Sequence, residues 1–93
     1  MERLTPEHRR LQILSKGQKV ARDVGLFNER FTVSAVAYAC GCSPATIAHY
    51  FSGRNVLRDS IVDHSLPDGE AFDKEIVKQA IAAYHPATRG MSL

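Results

Sequence analysis

Thr46 and His49 stand three residues apart in the run Ser43-Pro44-Ala45-Thr46-Ile47-Ala48-His49-Tyr50, and both carry groups that hydrogen-bond the edges of bases. Beside them Ala45 and Ala48 offer methyls that suit contact with a thymine methyl. On a helix this spacing turns Pro44, Ala45, Thr46, Ala48 and His49 outward and leaves Ile47 for the interior. Tyr50 and Arg54 follow, with a hydroxyl and a guanidinium able to meet phosphate oxygens. Thr32 and Ser34 upstream, together with Ser43, add further hydroxyls of that kind. Plainer uses exist for each. Small residues fit a tight turn, Thr32, Ser34 and Ser43 serve as helix caps, and Arg54 serves as a solvated charge.

Other chemistries find less support. Cys40, Cys42 and His49 are potential metal ligands, but they lack a fourth donor and miss the usual zinc spacings. Both cysteines also fall where small apolar side chains are wanted, which free cysteine supplies. No metal and no cofactor are expected. Serine, histidine and aspartate are present without a glycine-rich elbow, a P-loop or an HExxH pattern, so no enzyme is expected. His64 and His85 fall near helix ends, where histidine usually caps or is solvated.

The residues of interest must be held by two short helices and a tight turn. Thr32 or its neighbour starts the first, which runs to about Cys40 with Ala37 as the small residue at the crossing. Gly41 supplies the left-handed residue after the helix end. Ser43-Pro44 starts the second, with a hydroxyl cap and proline at the first helical position, and it runs to about Phe51. Val36, Cys40, Cys42, Ile47 and Tyr50 fall at inward spacings. An earlier helix begins at Thr5-Pro6-Glu7 and carries Leu11, Leu14, Val20, Ala21 and Val24 to Gly25. Gly17 within it marks a close approach by another helix, the reading adopted, or else a break. After Ser52-Gly53 a clamping helix presents Val56, Leu57, Ile61 and Val62. Pro67-Asp68-Gly69 separates it from a last amphipathic helix, Glu70 to about Tyr84, stopped by His85-Pro86. The division is therefore residues 1–66 as a helical head and residues 67–93 as an amphipathic helix with a tail.

Composition fits this all-α reading. Ninety-three residues make one small domain, with 44% hydrophobic and 24% charged residues. No apolar run approaches the roughly 18 residues that span a bilayer, and no apolar signal core follows the N-terminus, so a cytoplasmic protein with no membrane partner is expected. Cys-Gly-Cys fits a reducing compartment. The formal charge of +2 is unevenly spread: residues 1–58 carry nine basic and four acidic residues, residues 59–93 three and six. The basic part coincides with the pair of short helices, where attraction to phosphate is useful.

These residues resemble the DNA-binding domain of TetR-type transcriptional repressors. The family pattern is close to Ala-Gly-Val-Ser-x-x-Thr-Leu-Tyr-x-Tyr-Phe-x-x-Lys-x-x-Leu, and this chain has Cys40-Gly41-Cys42-Ser43, then Thr46-Ile47-Ala48, Tyr50-Phe51, Arg54 and Leu57. The likeness covers roughly residues 11–65. It implies a homeodomain-like three-helix head with two further C-terminal helices, duplex DNA as partner, and a phosphate contact at Arg54. Three departures qualify it. The loop from Leu26 to Phe31 is longer than usual, Ala48 replaces a common tyrosine, and only about 27 residues follow the match, where the family continues into an inducer-binding, dimerising domain. The expectation is thus a sequence-specific transcription regulator of the small phage or mobile-element type, with no small-molecule inducer. A protein-interaction module bound to polymerase or another regulator, and a DNA-architectural protein, are alternatives. The stripe Phe72, Ile76, Val77, Ala80, Ile81 and Tyr84 either completes the monomer core or makes a two-fold homodimer interface, and the dimer is the expectation adopted.

Overall fold

The computed structural model describes residues 5–84, apart from the Tyr84 side chain, and all regular structure among them is helical. Five helices follow one another: α1 Pro6–Val24, α2 Val33–Cys40, α3 Pro44–Tyr50, α4 Arg54–Ser65 and α5 Lys74–Tyr84. No helix among the described residues is long and apolar enough to cross a membrane. The stop at His85-Pro86 and the tail to Leu93 lie outside the described residues.

Local chemistry sets the ends of the first three helices. Thr5, Thr32 and Ser43 are N-caps whose hydroxyls accept from the backbone N–H groups of His8, Ala35 and Thr46, and Pro6 and Pro44 follow two of them. Gly41 ends α2 in the left-handed region at φ 72°, ψ 31°. There Cys42 N–H reaches back to Ala37 C=O at 3.0 Å. The chain can therefore reverse and start α3 within three residues.

The core gathers Ile13, Leu14 and Ala21 of α1, Val36 and Ala37 of α2, Ile47 of α3, and Leu57 and Ile61 of α4. Leu26, Phe31 and Phe51 join it from the connections, so the apolar ends of the long loop after α1 do tuck beneath the helices. Cys40, Cys42 and Tyr50 pack against it half-buried. At Gly17 a Cβ would land on the Ile61 side chain. At this glycine α4 packs close against α1, and its helix-propensity cost of about 1 kcal/mol is the cost of that approach. Val56, expected on the inner face of α4, is exposed instead.

α5 departs from the expectation in two ways. It begins at Lys74, four residues later than the sequence suggested, because residues 70–73 are tied to the end of α4. Ala71 N–H donates to His64 C=O at 3.0 Å and Asp73 N–H to Ser65 C=O at 2.9 Å, which pairs carbonyls that α4 leaves open. The Asp73 carboxylate then accepts from the N–H groups of Glu75 and Ile76 and starts the new helix. The second departure concerns the stripe. Ile76 is wholly buried and Ala80 is buried too, both inside the monomer, so the monomer core already covers these two of the expected pairing residues. Their side of α5 closes over α1 and α4. Phe72 and Ile81 remain 50% and 53% exposed, with Val77 half-buried between them. The Tyr84 side chain lies outside what is described.

Polar bonds pin the same helix. Gln18 of α1, itself buried, donates from Nε2 to Ser65 Oγ at 2.7 Å and to Ala71 C=O at 3.1 Å. Ser65 Oγ donates onward to Ile61 C=O at 2.7 Å. Leu26 N–H donates to Gln79 Oε1 at 2.7 Å. Residues 67–84 thus share the core of residues 5–66.

Candidate nucleic-acid interface

α3 is seven residues long and is anchored by one fully buried side chain, Ile47. The opposite side of the helix is open. Pro44, Ala45, Ala48 and His49 are all exposed and lie on one face. Thr46 and Tyr50 sit on the flank, half-buried. The flank position has a chemical consequence for Thr46, since its hydroxyl lies 3.2 Å from Ser43 Oγ, and the same Ser43 oxygen accepts the Thr46 N–H. Thr46 can still offer a lone pair outward, but its rotamer is set by its partner within the cap. His49 is the freer of the two, and its ring meets Tyr50 edge-on at 5.2 Å.

On α2 the sequence reading singled out Thr32 and Ser34. Thr32 is a working cap at 3.0 Å from Ala35 N, whereas Ser34 is exposed. One turn beyond Ser34, on the same outward face, Tyr38 is 90% exposed, more than any other large hydrophobic side chain described. Tyr38 was missed, yet it was legible. Val36, Ala37 and Cys40 define the inner side of α2, which puts Tyr38 opposite them.

The cations divide into free and occupied. Arg54 is exposed at the first position of α4 and, among the described residues, forms no ion pair. Arg58, one turn on, is held inside the fold: its guanidinium lies 4.9 Å from the Phe27 ring centre, Nε donates to Leu26 C=O at 3.2 Å, and a terminal nitrogen reaches Asn55. Arg10 lies 5.5 Å from the ring centre of Phe51, the residue that ends α3, so α1 braces α3 through a cation over an aromatic face. Sequence spacing could not separate Arg54 from Arg58, because the distinction depends on where Leu26 and Phe27 come to lie.

Cys40 and Cys42 flank the turn. Burial raises the Cys40 thiol from its usual 9.0 to about 11, with the neighbouring Cys42 adding to the rise and the charges of Arg9 and Lys16 partly opposing it. The thiol is therefore protonated at neutral pH, in keeping with a small packed side chain.

Comparison of the chain with protein-family models, with curated proteins and with solved structures finds no match.

Proposed function

We propose that this protein is a sequence-specific duplex-DNA-binding regulator of transcription, with α2 and α3 forming a TetR-like helix-turn-helix and α3 entering the major groove. The observation that carries the reading is the make-up of α3. One side chain anchors it, a proline and a cap start it, and its open face presents two methyl-bearing alanines and an unencumbered imidazole. The outward face of a surface helix usually carries charged and polar residues, whereas small and hydrogen-bonding groups suit close approach to base edges. Ser34, Tyr38 and Arg54 supply hydroxyl and cationic contacts for phosphates on either side, and the excess of basic residues over 1–58 supports attraction to the duplex. Regulation follows by occupancy: a bound head changes polymerase access to a promoter. The chain acts without catalysis, cofactor or inducer.

A single small head reads few base pairs, so a symmetric pair reading two half-sites is the natural working form. The surface proposed for pairing is the outer side of α5 with Phe72 just before it, now restricted to Phe72, Val77 and Ile81, which line a shallow apolar groove with Ala82. These side chains cannot cover the roughly 800 Å² per partner of a stable interface. Pairing is accordingly weak in solution and completed on DNA.

Selection from a random duplex pool tests the reading. Enrichment of a site with two related halves is the expected result. Recovery of no preferred sequence, with binding that salt abolishes uniformly, would reduce the protein to an architectural role, and absence of binding at low salt would leave protein recognition as the use of the fold.

A further inference from the structure

From Phe31 to Arg58 the chain holds no aspartate or glutamate, so α2, the turn, α3 and the first part of α4 bring no negative charge to the surface they form. Arg10 and Arg58 beside that surface are occupied, each over an aromatic ring. Two cations of α1 are not. Arg9 and Lys16 stand seven residues apart, with Gln12 between them, inside an arc of about 60° on one edge of the helix. α1 packs on α2, and this edge is the one toward the end of α2, because the charges of both residues bear on the Cys40 thiol there. Both residues are half-buried, and among the described residues neither forms an ion pair. Arg9 donates to the neutral Gln12 Oε1 at 3.0 Å, which leaves four of its five N–H groups for an anion. The next acid along the arc is Asp23, two turns past Lys16.

We propose that Arg9 and Lys16 are a second anchor for the DNA phosphate backbone, an inference that rests on the duplex-binding reading above. They lie beside the turn that leads into α3, whereas Arg54 lies just past its other end, so the duplex is held at both ends of the helix that reads it. Cations with no carboxylate among them are what a polyanion requires. Seven residues of helix rise about 10 Å, which spaces Arg9 and Lys16 for two phosphates rather than one. The guanidinium fork suits two oxygens of one phosphate, and the ammonium suits a single oxygen. Partial burial limits the freedom of both side chains before binding, so less is lost on contact. Such contacts carry no sequence information. They set the register in which Ala45, Ala48 and His49 face the bases.

Anisotropy titrations over a salt series on a selected duplex read the anchor. Arg9→Gln and Lys16→Gln should each lower the salt slope by about 0.9, and the two together by about 1.8, weakening binding by the same factor on every sequence. The melting temperature should stay that of the parent, since neither residue has an ion pair to lose, and Arg9→Lys should recover the slope. A scan of single neutral methylphosphonates through the half-site then locates the contacts. The positions that no longer matter in Arg9→Gln and Lys16→Gln should form one group, separate from the position that no longer matters in Arg54→Ala. Unchanged slopes in both glutamine variants, with the slope of Arg54→Ala reduced, would overturn the anchor and leave the DNA reading standing. So would an effect confined to a lower melting temperature, or loss of the same phosphates in all three variants. A parent protein that binds no duplex at low salt, yet binds an acidic protein through Arg9 and Lys16, would remove both.

Discussion

Substituting Ile76 and Ile81 separately by alanine tests the division of the α5 stripe between core and partner. Each change removes three carbons, worth about 0.8 kcal/mol apiece when fully buried, or roughly 2.4 kcal/mol of transfer free energy. Ile76 is wholly buried between α5 and the rest of the core, so a residual cavity adds to that cost. The total comes to about 3 kcal/mol, inside the range for such substitutions. For a domain of this size the melting temperature falls by about 12–24 °C. Ile81 is 53% exposed, so the monomer recovers only about half of the transfer term there. Alanine's better helix propensity returns a few tenths of a kcal/mol, leaving less than about 1 kcal/mol. On a paired operator the result is reversed. Both copies lose the Ile81 contact, about 2 kcal/mol together, or roughly thirtyfold in affinity. Circular dichroism melts of each variant, with anisotropy titrations on a selected two-half-site duplex and on a single half-site, give the comparison. Ile76→Ala should lower the melting temperature steeply, and Ile81→Ala should lower affinity for the double site alone. Equal melting losses for the two variants, or an Ile81→Ala protein that binds the double site as the parent does, would refute the division.

Four further outcomes follow from the same geometry. Arg54→Ala should weaken binding about equally across sequences and reduce the salt slope by roughly one unit, read by titration over a salt series, whereas Arg58→Ala should lower the melting temperature. His49→Ala should relax base preference by about 1–3 kcal/mol at particular positions in repeated selection, and Thr46→Ala should do so less, since its hydroxyl is already engaged by Ser43. Gly41→Ala should cost about 1–2 kcal/mol in denaturant unfolding although nothing lies within 4 Å of the added methyl, because the cost is in the left-handed backbone. The raised Cys40 thiol keeps its proton in the folded state to about pH 11 while an ordinary thiol loses it at 9.0, so its contribution is whole below pH 9 and is lost as pH rises toward 11. Urea midpoints should fall across that window, and less so in Cys40→Ala.

What could be read in the sequence is what is decided locally. Thr32, Gly41, Ser43 and Pro44 fix α2, its turn and α3 through groups no more than four residues apart, and each stands where the spacing put it. Gly17 was legible in part, since a glycine inside a helical run marks either a close neighbour or a break, and the Ile61 side chain against it decides for the neighbour. The start of α5 was hidden because Asp73 caps it only after residues 70–73 have been tied to the end of α4. His64 and Gln18 were likewise opaque: one reads as a solvated helix-end histidine and the other as a surface polar residue. Each is buried by elements far away in sequence, 47 residues in the case of Gln18 and Ser65.

The α5 stripe shows most plainly where periodicity stops informing. Ile76 and Ala80 lie one turn apart, as do Val77 and Ile81, and the two pairs are offset by a single residue, about 100° around the helix. A pattern of apolar residues shows that both faces avoid water without showing which meets the core. Here Gln79 and Asp73 decide it. Gln79 accepts the Leu26 N–H, and Asp73 lies 3.5 Å from Arg22. These contacts set the rotation of the helix so that Ile76 and Ala80 turn inward. Rotation the other way would bury Ile81 and forfeit both polar contacts. The face left outward is therefore a consequence of how α5 is fixed to α1, and any partner that covers it must accommodate Lys74 and Lys78 along its edge.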